Sequence, residues 1–111
     1  MLKKDYRINK KKEYNNIYKK GKKIPGKYMV IFIIRTEDRN SRFGFVTSKK
    51  VGNAVQRNLA KRRLRSIVYH TMNEIKDHAD IVIVARPAIK EASWEQIKID
   101  YKRGMRRAGL C

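Results

Sequence analysis

The sequence predicts an α+β domain, a small β-sheet with helices packed on it, in the order α-β-β-α-β-α. Three observations carry this. Three apolar runs of strand length occur, at Tyr28–Arg35, Phe43–Thr47 and Asp80–Ala85. Three other stretches repeat apolar residues at helical spacing. The chain has 111 residues and 41% apolar composition, which suits a single domain, residues 1–111, with one real core.

The first helix is expected near residues 10–20. Tyr14, Ile17 and Tyr18 sit at i, i+3 and i+4, Asn9 is placed to cap the start, and Gly21 falls just past the end. Ile24-Pro25-Gly26 reads as a turn. Tyr28 to Arg35 carries apolar residues on both faces, as a central strand does. The polar loop Glu37-Asp38-Arg39-Asn40-Ser41 then leads to Phe43-Gly44-Phe45-Val46-Thr47, a spacing that suggests an antiparallel hairpin. The helical pattern from about Ala54 to Ile75 would span roughly 33 Å. Asp80 to Ala85 is an unbroken core strand followed by Pro87. The last helix starts at Ser93, with Gln96 at capping-box spacing; Trp94, Ile97, Tyr101, Met105 and Ala108 line one side.

The net charge is +19, from 29 Lys+Arg against 10 Asp+Glu, and so high a charge on a folded chain points to a polyanion. Nucleic acid is the first candidate, because each neutralised phosphate releases condensed counterions. The longest apolar run, Met29 to Ile34, is far too short to span a bilayer, so no membrane partner is expected. No apolar stretch follows the charges of Met1-Leu2-Lys3-Lys4-Asp5, and the single cysteine, Cys111, offers neither disulfide nor zinc pattern. A cytoplasmic protein is expected.

The charge is uneven. Residues 1–27 carry eleven Lys/Arg and only Asp5 and Glu13. No acid lies between Asp38 and Glu74. On a helical projection Arg57, Lys61 and Arg65 step along one side, and with Asn58 and Arg62 they fill an arc of roughly 140°. Ala60, Leu64, Ile67 and Thr71 occupy the neighbouring arc, so one face can pack on the sheet while the other meets phosphates. A solvated face is the ordinary explanation of a charged helix, but such faces usually mix signs, and this one does not until Glu74. Before it, Gly52-Asn53 can turn with positive φ, Asn53 can cap, and a helix N-terminus beside Lys49 and Lys50 can hold an anion.

The segment Lys49 to Arg65 closely resembles the arginine-rich motif of the protein subunit of bacterial ribonuclease P. It runs Lys-Lys, one residue, Gly-Asn-Ala-Val, one residue, Arg-Asn, two residues, Lys-Arg, two residues, Arg. The resemblance extends to Arg7–Lys10 with Glu13-Tyr14, Ile17-Tyr18 and Gly21, and to Asp80–Arg86. One departure stands out: the family typically continues Arg-Asn-Arg, whereas Leu59 follows Asn58. Arg63, about 40° away on the projection, is the side chain placed to compensate in part.

The resemblance implies a two-layer α/β sandwich, of a kind also found in a ribosomal protein, with a left-handed βαβ crossover. It implies a protein component of an endoribonuclease whose catalyst is RNA, which uses magnesium ions to remove the 5′ leader of precursor tRNA. The partners so implied are the catalytic RNA and precursor tRNA, with no small-molecule substrate. Lys49, Lys50, Asn53, Arg57, Asn58, Lys61, Arg62 and Arg65 would contact the catalytic RNA. Tyr14, Tyr18 and Phe32 would line the cleft for the single-stranded leader. Without the resemblance, those three rings would more readily be read as core.

No catalytic residue is expected in the protein. His70 and His78 lie eight residues apart in a helix and its exit, and Asp77 with Asp80 fits an ordinary helix exit better than a metal site. A DNA-binding regulator would need a second helix a short turn before the basic one, where a strand is expected instead. A structural, ribosome-associated RNA-binding protein fits charge and size equally well, and only the motif separates it.

Overall fold

The computed structural model describes residues 6–8, 10–37 and 40–111. In chain order these form helix α1 (Lys11–Lys20), strands β1 (Lys22–Pro25), β2 (Met29–Arg35) and β3 (Arg42–Val46), helix α2 (Ala54–Thr71), strand β4 (Ala79–Ala85) and helix α3 (Trp94–Arg107). Short 3-10 turns, Met72–Glu74 and Pro87–Glu91, flank β4.

The strands form one sheet in the order β1-β2-β4-β3. β2 pairs antiparallel with β1 and β4, while β3 runs parallel to β4. The hairpin expected between β2 and β3 does not exist, because β4 lies between them. β4 is apolar and buried on both faces over almost its whole length, which suits a central place; β3, which starts at Arg42, takes the edge. The segment read as a turn at Ile24-Pro25-Gly26 contributes the edge strand β1 instead. β1 has four residues, one of them buried, and ends on a proline that only an edge tolerates well.

Local chemistry explains the helices. Asn53 and Gln56 close a reciprocal capping box at the start of α2, and Ser93 and Gln96 do the same for α3. α2 ends at Thr71, whose hydroxyl donates to the Ile67 carbonyl at 2.7 Å, and the chain tightens into the 3-10 turn before the expected end at Ile75. α1 starts without a side-chain cap from Lys10; the cap expected at Asn9 lies outside the described residues. Gly21 follows α1 in extended backbone rather than a left-handed turn.

Strand alternation divides the sheet into two faces. Met29, Ile31 and Ile33 of β2, Phe43 and Phe45 of β3, and Ile81 and Ile83 of β4 point toward α2 and α3, where Leu64, Ile67, Ile97 and Met105 complete the main core. The opposite residues, Phe32, Ile34, Val46, Val82 and Val84, meet α1 through a smaller cluster centred on Ile8 and Ile17. α1 lies over β2 and β4 and leaves part of this second face open.

A buried carboxylate fastens α3 to the β1–β2 turn. Asp100 accepts hydrogen bonds from the backbone N–H of Lys27 at 3.1 Å and of Tyr28 at 2.9 Å. A Cβ on Gly26 would come within 2.7 Å of an Asp100 oxygen, so the turn needs glycine there. Asp100→Ala removes both acceptors and is expected to lower the unfolding free energy by about 2–3 kcal/mol. Urea titration reads this as a lower midpoint at unchanged slope; an unmoved midpoint would show that the turn is held by something else.

Candidate nucleic-acid interface

The cationic face begins in the turn before α2. Gly52 has φ +148°, and a Cβ there would lie 2.0 Å from the Gln56 side-chain oxygen. Glycine therefore lets Gln56 fold back onto the Asn53 N–H at 2.9 Å, while Asn53 Oδ1 accepts from the Gln56 N–H at 2.9 Å. Asn53, expected at the interface, is thus first a helix cap. Lys49 and Lys50 are exposed in the turn beside it.

Along α2, Asn58, Lys61, Arg62 and Arg65 converge with Val55 on a groove of about 520 Å³. Arg57 turns back and donates to the Gly52 carbonyl at 3.1 Å, which braces the turn against the helix. Among the described residues no acid forms an ion pair with any of these cations. Leu59, on the same outer side, is 38% exposed. Arg63 does not stand in for the missing arginine as expected, because it reaches the other way and donates to the Ala92 carbonyl at 3.1 Å.

The second surface is the open part of the sheet beside α1. The Tyr14 hydroxyl donates to the Ile8 carbonyl at 3.0 Å, and its ring covers Gly44, where a Cβ would come within 2.5–2.7 Å of it. Tyr18 is 37% exposed and meets Phe32 edge to face, with ring centroids 5.0 Å apart. Val30, Val46 and Val84 continue a half-buried apolar floor. The structure thus brings Tyr14, Tyr18 and Phe32 together on the α1 side of the sheet. Burial pushes both tyrosine hydroxyls above their ordinary value, so they stay neutral near pH 7.

Two links escaped the sequence. Arg42 reaches across the sheet face to Glu13 of α1 at 2.6 Å and to both oxygens of Asp80 at 2.9 and 3.1 Å. Its hydrogen bonds to Asp80 and Glu13 hold it firmly protonated. The only signal was an arginine at the head of an otherwise apolar strand. Arg65, in turn, lies 5.9 Å over the Phe45 ring and close enough to Tyr14 to oppose the rise in its pKa. The cationic helix and the aromatic cleft therefore meet along β3.

Asp77 and His70 each have a structural partner. Asp77 pairs with Arg35 and accepts from the backbone N–H of His78, the larger cause of its lowered pKa. The His70 ring lies 2.7 Å from the Ser66 carbonyl. Among the described residues, no three His, Cys, Asp or Glu cluster as a metal site would require.

Comparison with known proteins places this geometry. Residues 2–109 match the protein family described as Ribonuclease P. The chain is 44% identical over 110 residues to the ribonuclease P protein component of Syntrophomonas wolfei, covering 99% of this chain and 92% of that one. It is 34% identical over 110 residues to that of Bacillus cereus, covering 98% and 96%. Among solved structures, the RNase P protein of Staphylococcus aureus superposes with TM-score 0.87 at 31% identity, covering 96% of this chain and 98% of that one. The RNase P protein of Thermotoga maritima gives 0.83 at 26%, covering 91% and 96%.

The contact between Gly44 and Tyr14 is directly testable. Gly44→Ala forces the Tyr14 ring outward, at an expected cost of about 1–3 kcal/mol in stability. Tyrosine fluorescence and thermal melting would read the change together; a melting temperature equal to wild type would show that the ring does not rest on Gly44.

Proposed function

The chain belongs to the ribonuclease P protein family, the protein components of an endoribonuclease that processes tRNA, and we propose that it serves that enzyme by holding two RNAs at once. The outer face of α2, from Lys49 to Arg65, binds the catalytic RNA. The cleft of Tyr14, Tyr18 and Phe32 takes the 5′ leader of precursor tRNA. The observation that carries this reading is the junction at Arg65, where unpaired cations adjoin a half-buried aromatic floor.

The two surfaces suit different chemistries. Phosphate contacts along α2 release counterions and position a folded RNA without reading its sequence. Stacking on the cleft rings contributes about 1–3 kcal/mol per base and tolerates any base, as an enzyme with many precursor substrates requires. The proposal places the catalytic centre and its magnesium ions on the RNA, with the protein contributing affinity and alignment. No helix among the described residues is long and apolar enough to cross a membrane, and the reading locates the protein in the cytoplasm with its substrates.

Reconstitution tests the reading. With the catalytic RNA and precursor tRNA at low magnesium, adding the protein is expected to restore 5′ cleavage, while the protein alone cleaves nothing. In that assembly, Tyr14→Ala with Tyr18→Ala should weaken precursor binding by about tenfold or more, as loss of one or two stacked bases implies, and leave mature tRNA binding nearly unchanged. Equal losses on both would remove the cleft assignment. Lys61→Ala with Arg62→Ala should weaken binding of the catalytic RNA and flatten its dependence on log salt by about 1.4–1.8, the release from two phosphates. An unaltered slope would put the RNA on another face.

A further inference from the structure

A third cationic surface lies at the opposite edge of the sheet. The β1–β2 turn and α3 enclose an indentation of about 240 Å³, floored by Ile24, Met29 and Ile31 and rimmed by Lys27, Arg103 and Arg107. Arg107 is oriented at the rim by donating one N–H to the Pro25 carbonyl at 3.1 Å, which leaves its other donors available. Arg103 is exposed and forms no ion pair or hydrogen bond with the described residues. Asp100 is the one acid in the wall, and its two oxygens are engaged by the backbone N–H groups of Lys27 and Tyr28. Ile24, Met29 and Ile31 beneath are at most 3% exposed, so what the indentation offers a ligand is its cationic rim, which fits the phosphates of a single strand.

The path to this indentation is continuous with the cleft. Lys23 of β1 pairs with Phe32 and so stands on the cleft face, beside the ring that Tyr18 covers. Lys27 follows in the turn that wraps the edge. α2 flanks the cleft on the β3 side, so a strand that enters from an RNA seated on α2 crosses β4 and β2 and leaves over β1. Adjacent strands are about 4.8 Å apart, so crossing the sheet takes roughly 14 Å, only a few nucleotides.

We infer that Lys23, Lys27, Arg103 and Arg107 form a distal subsite for the single-stranded leader, occupied by the nucleotides farther from the cleavage site than those in the cleft. The inference rests on the leader reading of the cleft and extends it: the protein favours precursors whose leaders are long enough to round the β1 edge.

The test uses the holoenzyme reconstituted with catalytic RNA and precursor tRNAs carrying leaders of roughly two or roughly ten nucleotides, the longer lying within the 4–16 nucleotides that single-strand surfaces engage. Wild type should bind the longer leader more tightly. Arg103→Glu, at a side chain with no ion pair or hydrogen bond among the described residues, and the double variant Arg103→Ala with Arg107→Ala should each reduce that preference by roughly five- to tenfold and flatten the salt dependence of long-leader binding. A preference that survives both variants overturns the subsite. So does an equal loss for both leaders, which would assign the surface to the catalytic RNA. Tyr14→Ala with Tyr18→Ala separates the two levels of the reading. If it leaves precursor and mature tRNA equally bound relative to wild type, the cleft itself fails; if it acts and the arginine variants do not, only the distal subsite fails.

Discussion

Arg42 holds α1 against the sheet, and the rest of the second face depends on where α1 sits. Its guanidinium bridges Glu13 on the helix to Asp80 on β4, the next strand in the sheet. Apolar contact with Phe32, Val82 and Val84 does not by itself set the position of α1, since hydrophobic attraction is non-directional. The bidentate pair with Asp80 orients the guanidinium on the sheet, and its one charge-assisted bond to Glu13 then ties α1 at a set point. With α1 fixed, Ile17 closes the small core, Tyr14 rests on Gly44, and Tyr18 is set beside Phe32 with its outer side still open. The half-buried strip beside α1 is therefore a remainder: the part of an apolar sheet face that one short helix, pinned in place, does not cover.

The same economy governs the charge. With only 10 acids against 29 cations, where the acids go decides which cations remain available. Glu13 and Asp80 hold Arg42, Asp77 holds Arg35, Glu74 lies 3.4 Å from Lys102, and Asp100 is bound to backbone N–H groups. All of these contacts fasten one element to another, and none neutralises the outer face of α2. That face stays cationic at the expense of self-repulsion in the free protein, which an RNA partner relieves.

How much of this was legible depended on range in sequence. The cap at Asn53, the Ser93–Gln96 capping box, the apolar stripe of α3 and the cationic stripe of α2 are set by residues close in sequence, and they could be read directly; that Gln56 completes a box with Asn53 was not. The pairing of strands could not. A polar loop between two apolar runs looks like a hairpin whether or not a third strand, 33 residues beyond β3, inserts between them. The burial of β4 on both faces was visible as an unbroken apolar run, and that run already implied a strand with neighbours on each side. β1 was hidden because four residues with one buried side chain and a proline carry no periodicity. Arg57 and Arg63 illustrate the limit for single side chains. Both lie on or beside the stripe that projection assigns to RNA, yet one braces the turn and the other holds the segment before α3. Projection gives direction from the helix axis, and only the surrounding fold decides what a long side chain reaches.

That distinction bears on Leu59. With Arg63 committed to Ala92, no side chain among the described residues takes the place of the arginine that the motif usually carries there, so α2 presents one cation fewer at that turn. Leu59 and Val55 lie four residues apart on one side of the helix, both exposed, which makes this stretch apolar between cations. Such a surface favours close approach to sugars and base edges over contact with phosphate, because desolvating an apolar side chain costs nothing that phosphate must repay. The affinity lost with one cation then falls mainly in the salt-dependent part of binding. On the proposed distal subsite, Lys27, Arg103 and Arg107 supply cations that α2 lacks at Leu59, and among the described residues Arg103 has no acidic partner.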